Sequence, residues 1–216
     1  MGGLFNINGK VYQFLEKLTN CVLVSILWTI FSIPIFTIGA STTALYYTVH
    51  KVIRHDTGHL WQTFWRTFKE NFKRASGLWL LLVVVCVFLG IDCYFSYVVS
   101  DVNPVLQWIL ILLIVVAAVI IMWSLYWFAY IAHIDDPIKA VLKNTLIICV
   151  TNLGKSLSLL GAFALCIAIM IYLPFSPLFL LVLPAGYMYF ATSVLKKVFN
   201  QYWDMDKSPL ETSNAD

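Results

Sequence analysis

The sequence predicts an all-α, polytopic membrane protein with about five transmembrane helices and amphipathic interface helices. Three observations predict it. Hydrophobic residues make up 61% of the chain and charged residues only 12%, against roughly a quarter charged in a soluble domain. The mean hydropathy is +0.83, too apolar for one water-soluble core of 216 residues to absorb. Apolar runs long enough to cross a bilayer recur along the whole chain, separated by short polar, aromatic and basic stretches.

Residues 1–20 are mixed, with Val11, Phe14, Leu15 and Leu18 at helical spacing, and predict a short interfacial helix. Cys21–Ile38 is the first expected span, TM1. Pro34 should kink or end its helix near Ser32–Ile33, and Thr37 and Gly39 extend the irregularity into a turn. Irregular backbone at membrane depth survives only inside protein or against a wet cavity, so Pro34, Thr37 and Gly39 are a modest functional pointer.

Residues 41–76 read as a pair of amphipathic cytoplasmic helices. In Ala44–Arg54 the residues Leu45, Tyr46, Val49, Val52 and Ile53 share one face, with His50, Lys51 and Arg54 off it. That pattern predicts a helix resting on the lipid surface. In Leu60–Arg74, Leu60, Phe64, Phe68 and Phe72 recur every fourth position beside Trp61 and Trp65, with Arg66, Lys69, Lys73 and Arg74 as cations. Aromatic rings favour the headgroup region and cations an anionic leaflet, so membrane lipid is the first expected partner. A partner protein could use the same surface. Its candidate docking residues are Phe64, Trp65, Arg66, Phe68, Lys69, Asn71, Phe72, Lys73 and Arg74.

Residues 77–99 form the second expected span, with Asp92 in its later half; an ionisable residue in a span is a site hypothesis by default, but near the far interface Asp92 reads first as a wet, satisfied carboxylate. Residues 105–134 form a third, longer than a bilayer needs, ending in Trp123, Trp127 and Tyr130. His133, Asp135 and Asp136 follow, but no further ligand clusters near them in sequence, and no metal is expected. Pro137–Val150 is amphipathic. Residues 156–173 and 178–195 complete the spans, joined by a turn at Pro174 and Pro177, and 196–216 is a cytoplasmic tail.

Five spans place segments 39–76, 135–155 and 196–216 on one side, with twelve of the fourteen Lys and Arg residues. The positive-inside rule makes that side cytoplasmic and the N-terminus extracellular, in a bacterial plasma membrane. A re-entrant break at Pro34 would instead keep the N-terminus inside. No G-x-S-x-G, H-E-x-x-H or P-loop occurs, so no enzyme and no cofactor is expected. His50, His55, His59 and His133 read as solvated surface histidines. A net charge of +3 gives no reason to expect nucleic acid. The five cysteines form no C-x-x-C pair and read as small hydrophobes in or beside the spans.

The run SIPIFTIGASTTALYYTVHKVIR followed by FWRTFKENFKRAS resembles the signature of the YesL-like family of bacterial integral membrane proteins. The matching residues are Pro34, Thr37, Gly39, Ala44, Leu45, Tyr46, Tyr47, Phe64, Phe68, Lys69, Asn71, Phe72 and Lys73. The chain departs from the pattern at Ala40-Ser41, where a proline is expected after the turn glycine. The genes of this family of unknown function often lie beside carbohydrate ABC importers, and no catalytic residues are established for it. The resemblance implies a non-enzymatic accessory subunit that assists oligosaccharide uptake by docking on the permease subunits, and through them on the ATPase and solute-binding protein. The alternative is a stand-alone transporter or channel working as a homo-oligomer, although the spans offer few polar groups to line a path.

Overall fold

The computed structural model describes residues 10–55, 59–99, 104–172 and 177–202, and every described element is helical. The first nine residues, the 56–58 turn, the 100–103 link, the turn at Pro174 and the tail from 203 lie outside the described residues. The helices are α1 (Lys10–Ser32), α2 (Ile38–Thr48), α3 (Leu60–Val99), α4 (Pro104–Ile131), α5 (Ile138–Thr151), α6 (Leu153–Tyr172) and α7 (Pro177–Phe199). The protein is an all-α polytopic membrane protein. Among the described residues four stretches are long and apolar enough to cross a membrane: Leu15–Ser32, Leu60–Val98, Val105–Ile131 and Leu153–Tyr172. The fifth expected span falls in α7, whose side chains are described only from Val182.

The turn between α1 and α2 explains its own sequence. Pro34 has no amide hydrogen to continue a helix, and it sits in extended conformation with ψ 116. α1 stops at Ser32, and a 3₁₀ turn, Ile35–Thr37, re-aims the chain. The Thr37 hydroxyl lies 2.6 Å from the carbonyl oxygens of both Phe31 and Pro34; its one proton can serve the Phe31 acceptor that the broken helix leaves open, because the Pro34 carbonyl also accepts from the Thr37 amide at 2.9 Å. The Trp79 indole donates to the Ile35 carbonyl at 2.8 Å.

Beyond the turn, α2 folds back along α1. Ser32 and Ser41 hydroxyls meet at 2.7 Å, and the Trp28 indole donates to Thr42 at 3.2 Å. Toward the other end of α2, Val49 and Ile53 join the same core as Val24, with Cys21 packed against it. The two helices are therefore an antiparallel hairpin, and its apolar tip, Ile33, Ile35 and Phe36, is exposed.

α2 is not the surface helix that its one-sided pattern predicts. Gly39, Ala40, Ser41, Thr43, Ala44, Leu45, Tyr46 and Thr48 are all buried. Their small and hydroxylated side chains are what let α1, α3, α4 and α7 close around it. Thr43 returns its hydroxyl to the Gly39 carbonyl at 3.0 Å, so a polar side chain is buried without an orphan donor. After Thr48 the helix widens into a π segment, Val49–Arg54. Arg54 then reaches Ser193 of α7 and lies 5.2 Å from the Tyr189 ring, tying the open end of the hairpin to the last helix.

α3 is one continuous helix of 40 residues, about 60 Å long. The basic aromatic run and the expected second span are its two halves. α4 returns beside it: Trp79 meets Phe128, and Arg74 meets Asp135. α6 and α7 complete the bundle, with the Tyr126 and Ser156 hydroxyls 2.7 Å apart across α4 and α6.

The α2–α3 crossing leaves no room at Gly39. A Cβ there would collide with the Ala75 carbonyl and come within 2.7 Å of the Trp79 Cβ. Gly39→Ala should therefore destabilise the detergent-solubilised protein by about 1–3 kcal/mol, as overpacking does, and lower its thermal midpoint. An unchanged midpoint would show that the two helices can separate freely.

Candidate functional site

The first four turns of α3 present two faces. Phe64, Phe68, Asn71 and Ala75 point into the protein and are buried. Phe31 of α1 receives them: its ring lies 5.1 Å from Phe68, 5.4 Å from Trp65 and 5.7 Å from Phe64. Such aromatic pairs add roughly 0.5–1.5 kcal/mol each beyond area burial. Asn71 turns its amide onto the Thr67 carbonyl at 3.1 Å. Of the nine residues expected to meet a partner, then, Phe64, Phe68 and Asn71 serve this chain's own core. Trp65, Phe72 and Arg74 are half-buried, and Arg66, Lys69 and Lys73 are exposed. The phenylalanine repeat that reads as a docking stripe is the seam between α3 and the hairpin.

Arg74 is committed as well. It donates to the Asp135 carboxylate at 2.6 Å and to the Ile134 carbonyl at 2.9 Å, pinning α3 to the end of α4. Asp136 accepts from the Tyr130 hydroxyl at 2.6 Å, and Asn144 donates to that hydroxyl at 2.8 Å. The acidic pair after α4 thus holds helices together.

The outer face of α3 and the π segment enclose an open recess of about 570 Å³. Lys51 reaches it from the π segment, and His59, Trp61, Trp65, Arg66 and Lys69 from the start of α3. Sequence spacing reveals Arg66 and Lys69 as neighbours on one helix. It does not reveal that Lys51, fifteen positions before Arg66, joins them, because that depends on the antiparallel return of α3 along α2. A second cavity, about 30 Å³, lies between α2, α4, α6 and α7 and is lined almost entirely by apolar side chains such as Leu125, Phe128 and Met188.

Of the four histidines that the sequence suggests are solvated, His55 and His59 are exposed, while His50 and His133 are drawn into the protein. His50 is buried, and its ring lies 5.1 Å from His133 and 5.0 Å from His55. Tyr46 stands 5.7 Å from His133. The Tyr46 hydroxyl and His133 Nε2 are enclosed without hydrogen-bond partners. Among the described residues no group of three His, Cys, Asp or Glu side chains is arranged to hold a metal.

Burial, with the His50 ring as second cause, pushes the His133 imidazole from about 6.5 down to about 3. Below pH 6.5 the unfolded chain takes up a proton that the folded chain refuses, so stability falls as the pH drops toward 3. His133→Phe should remove this part of the dependence. Between about pH 7 and about pH 5 the variant should lose less stability than the wild type, by about 2 kcal/mol in detergent melts. Equal losses in both proteins would show that His133 ionises freely.

Comparison with known proteins places this architecture. Residues 21–93, which run from α1 through the hairpin into the far half of α3, match the family described as "Protein of unknown function, DUF624". A relative from Bacillus subtilis (strain 168), described as "Uncharacterized protein YteU", is 24% identical over 170 residues, covering 77% of this chain and 75% of its own. No solved structure matches the chain. The proline turn, the buried glycine and the aromatic seam all lie inside the matched segment, so over residues 21–93 the chain is similar to this family of unknown function.

Proposed function

We propose that this protein is a non-enzymatic accessory subunit of a carbohydrate ABC importer, holding the permease subunits through its membrane helices. The observation that carries the reading is the far half of the α3–α4 pair. Along α3 from Val84 to Val98 only the seam Val85, Leu89, Cys93 and Ser96 is shielded, at the spacing of one helix face. Phe88, Ile91 and Phe95 of α3 are exposed, as are Trp108 and Leu112 of α4. Asp92 shares that exposed side of α3. Lipid alone would cover the apolar rings well, but a carboxylate facing hydrocarbon costs about 2.5–3.5 kcal/mol at the bilayer centre and less toward the interface, where Asp92 stands. A neighbouring helix with a donor or cation at that depth would satisfy it. The importer itself enters through the family resemblance.

The hairpin supports a particular topology for this subunit. Because α1 and α2 fold back on one another, Lys10 and Lys17 come round to the end that holds Arg54. The Lys10 end of α1 and the Phe199 end of α7 then lie on the basic, cytoplasmic side, and α1 with α2 is a re-entrant pair. The lysines that the five-span reading leaves outside join the rest, and the charge bias is complete.

The subunit reading is tested by mild-detergent purification at native expression levels, with mass spectrometry of the co-purifying proteins. Two permease subunits and an ATPase should be recovered stoichiometrically, and Asp92→Leu should deplete them at least several-fold. Recovery of the chain alone, or only as a homo-oligomer, would overturn it. For the topology, protease-cleavable tags at both termini should be cut in inside-out vesicles and protected in right-side-out ones. Tags cut in opposite preparations would restore a first helix that simply crosses.

A further inference from the structure

We propose that the outer face of α5 is a seat for an anionic phospholipid, with its headgroup phosphate on Lys139 and Lys143. Between Lys139 and Val150 the exposed residues are Lys139, Lys143, Leu146, Ile147 and Val150. At 3.6 residues per turn all five fall within an arc of about 100°. The other residues of this stretch are buried or half-buried, so α5 shows its surroundings one narrow stripe. Followed from the start of the helix, the stripe is cationic first and apolar after.

The packing of α5 gives that order a direction. The helix starts beside the end of α4, where Arg74 meets Asp135. Asn144 donates to the Tyr130 hydroxyl at 2.8 Å, and one residue later Thr145 accepts from the Trp123 indole at 3.0 Å. Trp123 lies within the membrane-length stretch Val105–Ile131, about 12 Å short of its end. The Ser156 hydroxyl, 3.1 Å from the Cys149 carbonyl and 2.7 Å from the Tyr126 hydroxyl, holds the far end of α5 at a similar depth. The lysines therefore stand where α4 leaves the membrane, and the apolar half of the stripe stands deeper.

A leaflet presents the same order, phosphate above and acyl chain beneath. The two lysines are one helical turn apart, and a phosphate accepts charge-assisted hydrogen bonds from both at once. No acid of their own helix competes, since no Asp or Glu occurs from 137 to 158. The two acids just before it are engaged, Asp135 by Arg74 and Asp136 by Tyr130. Below the stripe, Leu153 and Leu157 at the start of α6 are exposed and carry the apolar contact onto a helix long enough to cross. An acyl chain bends with that surface across the break at Asn152, which a rigid partner helix does not.

The test photo-crosslinks the full chain carrying Ile147→p-benzoylphenylalanine in nanodiscs of phosphatidylcholine with a small fraction of phosphatidylglycerol. Mass spectrometry of the adducts should find phosphatidylglycerol enriched over its bulk fraction by roughly 25-fold, at about five-fold per cation. Lys139→Gln with Lys143→Gln should return the adducts to bulk composition, and Lys139→Arg with Lys143→Arg should keep the enrichment. Adducts at bulk composition in the parent chain, or an enrichment that survives the glutamine pair, would overturn the headgroup site. In native membranes the same position should again yield lipid-sized adducts. A protein-sized adduct there would overturn lipid as the occupant and put a partner helix in its place.

Discussion

Gly39 lets the backbone of α2 lie against Ala75 and Trp79 of α3, and the rest of the molecule is arranged about that approach. With α2 drawn in so close, small residues must follow it along the helix, and Ala40, Ser41, Thr43 and Ala44 do. Four other helices can then pack around a segment that has no exposed face of its own. The hairpin turn sits directly above, closed by Thr37 and by the Trp79 indole. Aromatic packing of Phe31 against Phe64, Trp65 and Phe68 seals the remaining side.

Much of this architecture is legible in the residues. Low charge and recurring apolar runs establish a helical membrane protein without help, since no soluble core could hold so much apolar surface. What the residues conceal is direction. A face of Leu45, Tyr46, Val49, Val52 and Ile53 looks amphipathic on a helical projection, and periodicity gives no sign that neighbours also cover the opposite side. That side is made of Thr43, Thr48 and His50, which count as polar yet are buried here. Thr43 hides its hydroxyl on its own helix, so its polarity does not report exposure.

The phenylalanines of α3 mislead in the opposite way. Repeating every fourth residue beside cations, they resemble a surface stripe, and the nearest thing to a contrary signal is Phe31, thirty-three positions before Phe64 and across a proline turn. Lys51 and Arg66 have a similar history. Only the return of the chain brings them to one recess. The motif residues Pro34, Thr37 and Gly39 are the exception, because each has a local reason for its identity that elementary chemistry supplies: a missing donor, a spare hydroxyl and a missing Cβ.

The hydrogen bond from Trp79 to Ile35 also imposes an order on biosynthesis. The two residues are 44 positions apart, so when the hairpin tip emerges from the ribosome its carbonyl has only the Ile38 amide of its own turn and lacks the indole. Ile33, Ile35 and Phe36, exposed in the finished fold, are then an apolar knob on an incomplete turn. Until α3 has been made, the tip lacks both the second donor to that carbonyl and the helix against which the hairpin packs. The first helix to be synthesised is thus set in place only after the third has arrived.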